Sequence, residues 1–185
     1  MKNQIPHLVT YPRSGSHYFD REFYKKAKFH IERSHVVNHL FNKDHGKEKI
    51  IITIARDPKE SILSLISLKQ FYNFTPEDIN ELVSDYILLY SFLYEHCDYI
   101  IDFNDLVAYP EIVVDKMMNI LNINENNYTT FVTKTNYDSK NFLESAKGVP
   151  GYGDTELNDF NLGACYFYYN RLLSKRVRFF PPEFE

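Results

Sequence analysis

The sequence contains no tryptophan and only two cysteines, Cys97 and Cys165, among its 185 residues. The cysteines form neither a Cys-x-x-Cys pair nor a cluster with histidine, so we expect two reduced, buried thiols. No apolar run approaches the ~20 residues that a membrane-spanning helix needs, and the first residues lack the apolar core of a signal peptide. These absences predict a soluble, cytoplasmic protein.

Positive charge is not in excess either, because 25 acidic residues outnumber 21 lysines and arginines, for a formal charge of −4. This balance excludes a strongly basic nucleic-acid coat and disfavours a polybasic membrane sensor. Aromatic residues are abundant instead, and 15 tyrosines and 15 phenylalanines must provide the ring contacts. The length suits one domain over residues 1–185, which can bury a core without a disulfide or a metal.

Apolar segments alternate with helical patterns along the chain. Strands are predicted near residues 5–11, 29–32, 50–55 and 99–103, and helices near residues 16–28, 57–71, 75–93, 110–121 and 155–174. The strand at 50–55 is the clearest, because β-branched side chains on consecutive positions are typical of a strand covered on both faces. The alternation predicts an α/β fold with three layers, α/β/α, around a parallel sheet of about four to five strands.

A polar cluster follows the first predicted strand, at the end where parallel sheets bind ligands. Residues 10–17 read Thr-Tyr-Pro-Arg-Ser-Gly-Ser-His, and amides in such a turn can hold a tetrahedral anion at the helix N-terminus. Arg13 adds a positive charge, and Ser14 and Ser16 add hydroxyl donors. Gly15 lets the backbone approach a ligand. The Gly-x-x-x-x-Gly-Lys-Ser/Thr pattern is lacking, which disfavours an ATP-dependent kinase, and a plain capped helix is the alternative.

A second polar cluster follows the strand at 50–55. Arg56 and Ser64 can hold another phosphate through charge-assisted and hydroxyl hydrogen bonds. Alternatively, Arg56 pairs with Asp57 or Glu60, and Ser64 only packs. Anion sites at two strand ends would suit a ligand with two separated phosphate groups.

These residues resemble motifs of the sulfotransferases that use 3′-phosphoadenosine 5′-phosphosulfate (PAPS). Residues 10–16 are similar to the 5′-phosphosulfate loop of that family, and residues 56–64, Arg-Asp-Pro-Lys-Glu-Ser-Ile-Leu-Ser, to its 3′-phosphate motif. Residues 32–35, Glu-Arg-Ser-His, resemble the Lys-Thr-His segment that supplies the catalytic base. Weaker likenesses to later family segments lie at residues 103–106, 135–137 and 147–154, so that the matches keep family order.

The resemblance implies a P-loop nucleotide-hydrolase-like fold and transfer of a sulfuryl group from PAPS to a hydroxyl or amine, leaving PAP. It implies that Arg13 stabilises the leaving phosphosulfate and that His35 is the general base, with Glu32 as its rival. It implies cofactor contacts from Arg13, Ser14, Gly15, Ser16, His17, Tyr18, Arg56, Ser64, Phe103, Thr135, Tyr137, Lys147 and Gly148. The family requires no metal. The expected acceptor is a small molecule or a carbohydrate, with neither nucleic acid nor a membrane as a partner.

The sequence departs from the family pattern at three positions. Arg13 replaces the lysine of the cytosolic members, Tyr18 replaces a tryptophan, and Ala146 takes the place of a loop arginine that grips the 3′-phosphate. The chain is also shorter than those enzymes, and we expect the difference in segments that shape the acceptor pocket. These departures leave open a non-catalytic nucleotide-binding or interaction module on the same fold. The sequence indicates neither the acceptor nor the oligomeric state.

Overall fold

The computed structural model describes residues 5–28, 30–35, 49–68, 76–123 and 159–179. Within these ranges the strands are β1 Ile5–Val9, β2 Glu32–Ser34, β3 Lys49–Ala55 and β4 Tyr99–Asp102. The helices there are α1 Ser16–Ala27, α2 Pro58–Leu68, α3 Pro76–His96, α4 Phe103–Ala108, α5 Pro110–Ile120 and α6 Asp159–Ser174. Strands and helices alternate as the apolar pattern predicts, which confirms the α/β class.

The described strands form one parallel sheet in the order β2-β1-β3-β4. His7 of β1 lies opposite Glu32 of β2 on one side and Ile51 of β3 on the other. Ile54 of β3 lies opposite Ile101 of β4. The predicted parallel pairing is therefore confirmed.

Each face of the sheet carries its own hydrophobic cluster, because successive side chains of a strand point to opposite faces. One cluster joins Leu8 and Ile52 to helices α1, α4 and α5. The other joins Val9 and Ile100 to helices α2, α3 and α6. Burial of each such side chain contributes ~1.5–3 kcal/mol to folding. Helices on both faces are consistent with the predicted three layers.

The strand order creates a crevice between β1 and β3. From β1 the chain passes into α1 on one face of the sheet, whereas from β3 it passes into α2 on the opposite face. The loops that follow these two neighbouring strands therefore diverge. In parallel sheets such a topological switch point is the usual place for a ligand.

Several strand boundaries differ from the predicted ones. β1 ends at Val9 rather than at residue 11, and the Tyr11 phenol instead donates to the Leu82 carbonyl oxygen on α3 at 3.0 Å. β2 lies at Glu32–Ser34, later than predicted. The strand predicted through residue 103 ends at Asp102, whose carboxylate accepts the Asn104 amide at 2.9 Å and so caps the unpredicted helix α4.

Both cysteines are free thiols. Cys165 is buried and Cys97 is half-buried, so the expectation of unpaired thiols is confirmed. Burial raises the pKa of Cys97 to about 12 and that of Cys165 to about 11, so neither is a reactive thiolate at neutral pH. In the part of the chain that the structure describes, no helix has the length and apolarity to cross a bilayer.

Candidate anion-binding site

The loop between β1 and α1 makes a tight turn that runs directly into the helix. The Ser14 amide donates to the Tyr11 carbonyl oxygen at 3.2 Å, and the Phe19 amide donates to the Gly15 carbonyl oxygen at 2.9 Å. Gly15 caps α1 in a left-handed conformation, with φ of 91°, and has no side chain with which to satisfy the first-turn amides. The first turn also carries no acidic residue. Within the described residues the positive end of this helix is thus uncompensated by a cap side chain or a first-turn carboxylate, which favours an anion there.

The two predicted anion clusters contact each other across the crevice. The Arg13 Nε donates to the Ser64 Oγ at 3.1 Å, and the Arg56 Nη1 donates to the Arg13 carbonyl oxygen at 2.7 Å. The Arg56 guanidinium also pairs with Glu60 at 3.3 Å, as the alternative interpretation expects. We call Arg13, Ser14, Arg56 and Ser64 the switch-point site.

Phe103, the first residue of α4, contacts this site. The Arg56 guanidinium carbon lies 4.4 Å from the centre of the Phe103 ring. A methyl group on Gly15 would lie 2.9 Å from two carbons of the same ring. The ring thus packs between the glycine of the loop and the arginine that follows β3.

Two buried tyrosines of α3 support the end of β3, and the sequence analysis missed both. The Tyr86 phenol donates to the Arg56 carbonyl oxygen at 2.8 Å, and the Arg56 amide donates to the Tyr90 phenol oxygen at 3.2 Å. Their rings stack with centres 3.9 Å apart. Burial raises the pKa of both phenols, so they stay neutral. Their spacing of four residues on a predicted helix is the signal that could have identified the pair.

Several side-chain hydroxyl groups of the loop and of the neighbouring elements are buried. They belong to Ser14, Ser16, Thr53, Ser61 and Ser64. The Ser14 Oγ lies near the Tyr90 phenol but makes no hydrogen bond of normal length and angle within the described residues. Because buried hydroxyls are rarely left without a partner, Ser14 is suited to bind water or a ligand oxygen.

His35 and Glu32, the two candidate bases, occupy different places. The His35 Nδ1 lies 2.8 Å from the Thr10 carbonyl oxygen at the carboxyl end of β1. A carbonyl oxygen only accepts, so Nδ1 carries a proton, and in the neutral form of the ring the lone pair is then on Nε2. Glu32 pairs with His7 at 3.4 Å, and its side chain is 49% exposed. Only His35 therefore lies at the edge of the sheet that bears the switch-point site.

His17 lies in the first turn of α1, beside Arg33 of β2. The Arg33 Nη1 donates to the His17 Nδ1 at 2.7 Å, and the Arg33 Nε lies 3.8 Å from Asp20. His17 is exposed overall, yet its ring is partly shielded from solvent on the side of Arg33. Partial burial, followed by the positive charges of Arg33, His35 and Arg13 and opposed by Asp20, lowers the pKa of His17 to about 4. The imidazole is therefore neutral at physiological pH.

Other predicted contacts lie away from the site or beyond the described ranges. Tyr18 packs against the core beneath α1, with the Arg21 guanidinium carbon 5.0 Å from its ring centre. Four of the predicted cofactor residues lie outside the described residues, together with Ala146: Thr135, Tyr137, Lys147 and Gly148.

An open cavity of about 550 Å³ borders the switch-point site. Its walls come from the first turns of α2 and from α6, and they are Arg56, Asp57, Lys59, Glu60, Leu63 and Tyr166. This volume lies within the usual range of ~300–1,000 Å³ for small-molecule sites. The cavity could therefore take part of a ligand whose anionic group binds at the switch point.

No protein-family model matches the sequence, and no similar curated protein was found. Among the described residues, no three histidine, cysteine or acidic side chains are arranged to hold a metal ion. The chemistry of the site therefore has to be argued from its own geometry.

Proposed function

We propose that the protein is a PAPS-dependent sulfotransferase that binds PAPS at the switch-point site. The observation that carries this proposal is the convergence of Arg13, Arg56 and Ser64 at the crevice between β1 and β3, beside the uncompensated N-terminus of α1. A helix N-terminus, permanent cations and a buried hydroxyl are the groups that bind phosphate and sulfate oxygens. The buried Ser14 Oγ, which makes no normal hydrogen bond to any other described residue, fits such a ligand.

Bound PAPS would supply a sulfuryl group, which passes to an acceptor hydroxyl or amine as the bond from sulfur to the 5′-phosphate oxygen breaks. In this proposal Arg13 and the first-turn amides of α1 neutralise the charge that develops on the departing 5′-phosphate. As in phosphoryl transfer, positioning and charge stabilisation provide most of the rate enhancement. Arg56 and Ser64 bind the 3′-phosphate.

His35 accepts the proton of the acceptor at Nε2. Its hydrogen bond to the Thr10 carbonyl oxygen supports this role, because it places the proton of the neutral ring on Nδ1. The pairing of Glu32 with His7, away from that edge, argues against Glu32 as the base. We expect His35→Ala to abolish transfer with little loss of PAP affinity and Glu32→Gln to retain transfer. The reverse pattern of activities in a PAPS transfer assay would assign the base to Glu32.

Isothermal titration calorimetry with PAP, PAPS and ATP-Mg²⁺ tests the proposal. We expect PAP and PAPS to bind more tightly than ATP-Mg²⁺, and Arg13→Ala and Arg56→Ala each to lose ~10–100-fold in PAP affinity. Arg178→Ala, which removes an exposed arginine far along the chain, is the matched control and should bind PAP like the wild type.

Two other results would lead to different conclusions. Binding of ATP-Mg²⁺ without PAP would contradict the proposal and favour a kinase. Binding of PAP without sulfate transfer to any of a broad set of phenols, alcohols, amines and sugars would favour a non-catalytic nucleotide-binding module.

A further inference from the structure

We infer that Phe103 is a positioning residue, which holds Arg56 and the β1–α1 loop in the arrangement that binds the anion. This inference rests on the proposed function, because it assigns Phe103 a role in building that binding site. It differs from the expectation in the sequence analysis, where the resemblance made Phe103 a contact of the bound cofactor itself.

The first observation is the stack between Phe103 and Arg56. The guanidinium carbon of Arg56 lies 4.4 Å from the ring centre, which is well within the distance for a cation–π contact. The Arg56 side chain is only 18% exposed. A guanidinium stacked on a ring has its face fixed, and the nitrogens at its edge remain able to donate hydrogen bonds.

The second observation is the contact that the edge of the Arg56 guanidinium makes with the loop. The Arg56 Nη1 donates to the carbonyl oxygen of Arg13, whose own φ of 70° is in the left-handed region. A left-handed arginine is strained, and such a residue persists only where neighbouring groups hold it. Arg56 is the neighbour that binds this peptide group. The orientation of Arg56 therefore bears on the conformation of the loop.

The third observation is the contact between Phe103 and Gly15. The ring occupies the space where a side chain at Gly15 would lie, with two ring carbons 2.9 Å from that position. Phe103 thus limits the loop directly at Gly15 and indirectly, through Arg56, at Arg13. The ring itself is held because α4 begins at Phe103 and is capped by the Asp102 carboxylate.

Adenine stacking is the competing role for Phe103. The Arg56 guanidinium covers one face of the ring, and two ring carbons occupy the space that a side chain at Gly15 would need. These contacts already use the ring to hold protein groups together. A positioning role predicts that loss of the ring weakens the binding of anions with and without a base. A stacking role predicts weaker binding only for ligands that carry a base.

The experiment compares Phe103→Leu, which keeps an apolar side chain but removes the aromatic face, with Phe103→Tyr, which keeps the face. Affinities are measured for PAP and for inorganic pyrophosphate, which has no base. We expect Phe103→Leu to weaken both ligands by about tenfold and Phe103→Tyr to restore both to within about threefold of the wild type. Phe167→Leu is the matched control, because Phe167 is exposed on α6 with the Arg171 guanidinium carbon 5.2 Å from its ring, and it should change neither affinity.

Two further measurements separate positioning from general loss of structure. In ¹H–¹⁵N spectra the Arg56 Nε–H signal should lose its ring-current shift in Phe103→Leu and keep it in Phe103→Tyr. Phe103→Leu combined with Arg56→Ala should lose less affinity than the two single losses together predict, because part of the effect of the ring passes through the arginine. If Phe103→Leu does not fold, Arg56→Lys, which keeps the charge but stacks less well, should weaken both ligands similarly.

Several outcomes would overturn the inference. Loss of PAP affinity without loss of pyrophosphate affinity would assign Phe103 to the base, and unchanged affinities with an unchanged Arg56 signal would assign it no role. Wild-type protein that binds pyrophosphate but not PAP would contradict the proposed function alone, since the variants still test positioning with pyrophosphate. Wild-type protein that binds neither would contradict both.

Discussion

Two regions of the molecule each place an arginine over an aromatic ring, but the helix ends and the hydrogen-bond donors around the two pairs differ. At the switch-point site, the Arg56 guanidinium carbon lies 4.4 Å from the Phe103 ring centre. On α6, the Arg171 guanidinium carbon lies 4.2 Å from the Tyr94 ring centre, with the Lys175 ammonium 3.8 Å from the same ring. We call the second group the α6 basic surface.

The two regions lie at opposite ends of helices. The switch-point arginines lie beside the N-terminal turns of α1 and α2, where the positive ends of the helix dipoles add to their charge. Arg171 and Lys175 lie at the C-terminal end of α6, where the dipole offsets positive charge, and Lys175 donates to the Tyr94 carbonyl oxygen at 2.9 Å. Helix polarity and buried donors, rather than the cation–aromatic pair itself, therefore distinguish a site for an anion.

The largest expected effect comes from Gly15→Ala. A methyl group there meets the Phe103 ring at 2.9 Å, and φ of 91° costs alanine ~1–2 kcal/mol, so we expect lower stability and loss of nearly all PAP binding. Gly163→Ala on the exposed surface of α6 is the matched control. Outside its own helix, no atom of the described residues lies within 4 Å of its added carbon, so stability should rise by ~0.5–1 kcal/mol with PAP affinity unchanged. Urea denaturation measures the stability and calorimetry the PAP affinity. Equal changes in the two variants would contradict the special role of Gly15.

Removal of one arginine from each region is expected to have the next largest effect. Arg13→Ala should lower PAP affinity ~10–100-fold and flatten its dependence on salt, because a cation near the ligand is lost. Arg171→Ala on the α6 basic surface should leave the PAP affinity and its dependence on salt unchanged. Calorimetry at two salt concentrations checks this expectation. A larger loss in Arg171→Ala would place the anion site on α6.

Removal of one phenol hydroxyl from each region should have a smaller effect. Tyr86→Phe deletes the donor to the Arg56 carbonyl oxygen in the core, and we expect a loss of ~1–2 kcal/mol in the free energy of unfolding together with weaker PAP binding. Tyr94→Phe removes the hydroxyl that accepts from the Arg171 Nη2 at 2.9 Å in an exposed place, so its melting temperature should hardly change. If Tyr86→Phe is as stable as the wild type, the tyrosines do not support the end of β3.

The smallest expected effect is a pH dependence that belongs to the switch-point side alone. The pKa of His17 is lowered from 6.5 to about 4, so between these values the unfolded chain binds more protons than the folded one. The contribution of His17 to stability is therefore present above pH 6.5 and is lost as the pH falls toward 4. His17→Gln should flatten this part of the curve of stability against pH. Identical curves for the two proteins would contradict this assignment.

The sequence predicts the strands, most of the helices and the positions of Arg13 and Arg56, because these depend on local patterns. Arg56 directly follows an apolar run and Arg13 lies in the polar segment shortly after one, so their places near strand ends can be predicted without knowledge of the fold. The α/β class and parallel pairing follow from the same alternation.

The remaining parts of the site depend on distant contacts. Tyr86 reaches Arg56 across 30 residues, and His35 reaches the edge only because β2 pairs beside β1. The strand prediction runs through Phe103 because apolar residues lie on both sides of Asp102. In the structure Asp102 instead ends the strand and caps the helix that begins at Phe103. Strand order, which creates the crevice, is not encoded in any single segment.

A crystal structure of the protein with PAP bound tests the central claim most directly. We expect the 5′-phosphate within hydrogen-bonding distance of the α1 first-turn amides and the Arg13 guanidinium, and the 3′-phosphate at Arg56 and Ser64. PAP bound at the α6 basic surface, or an empty crevice at saturating PAP, would contradict it.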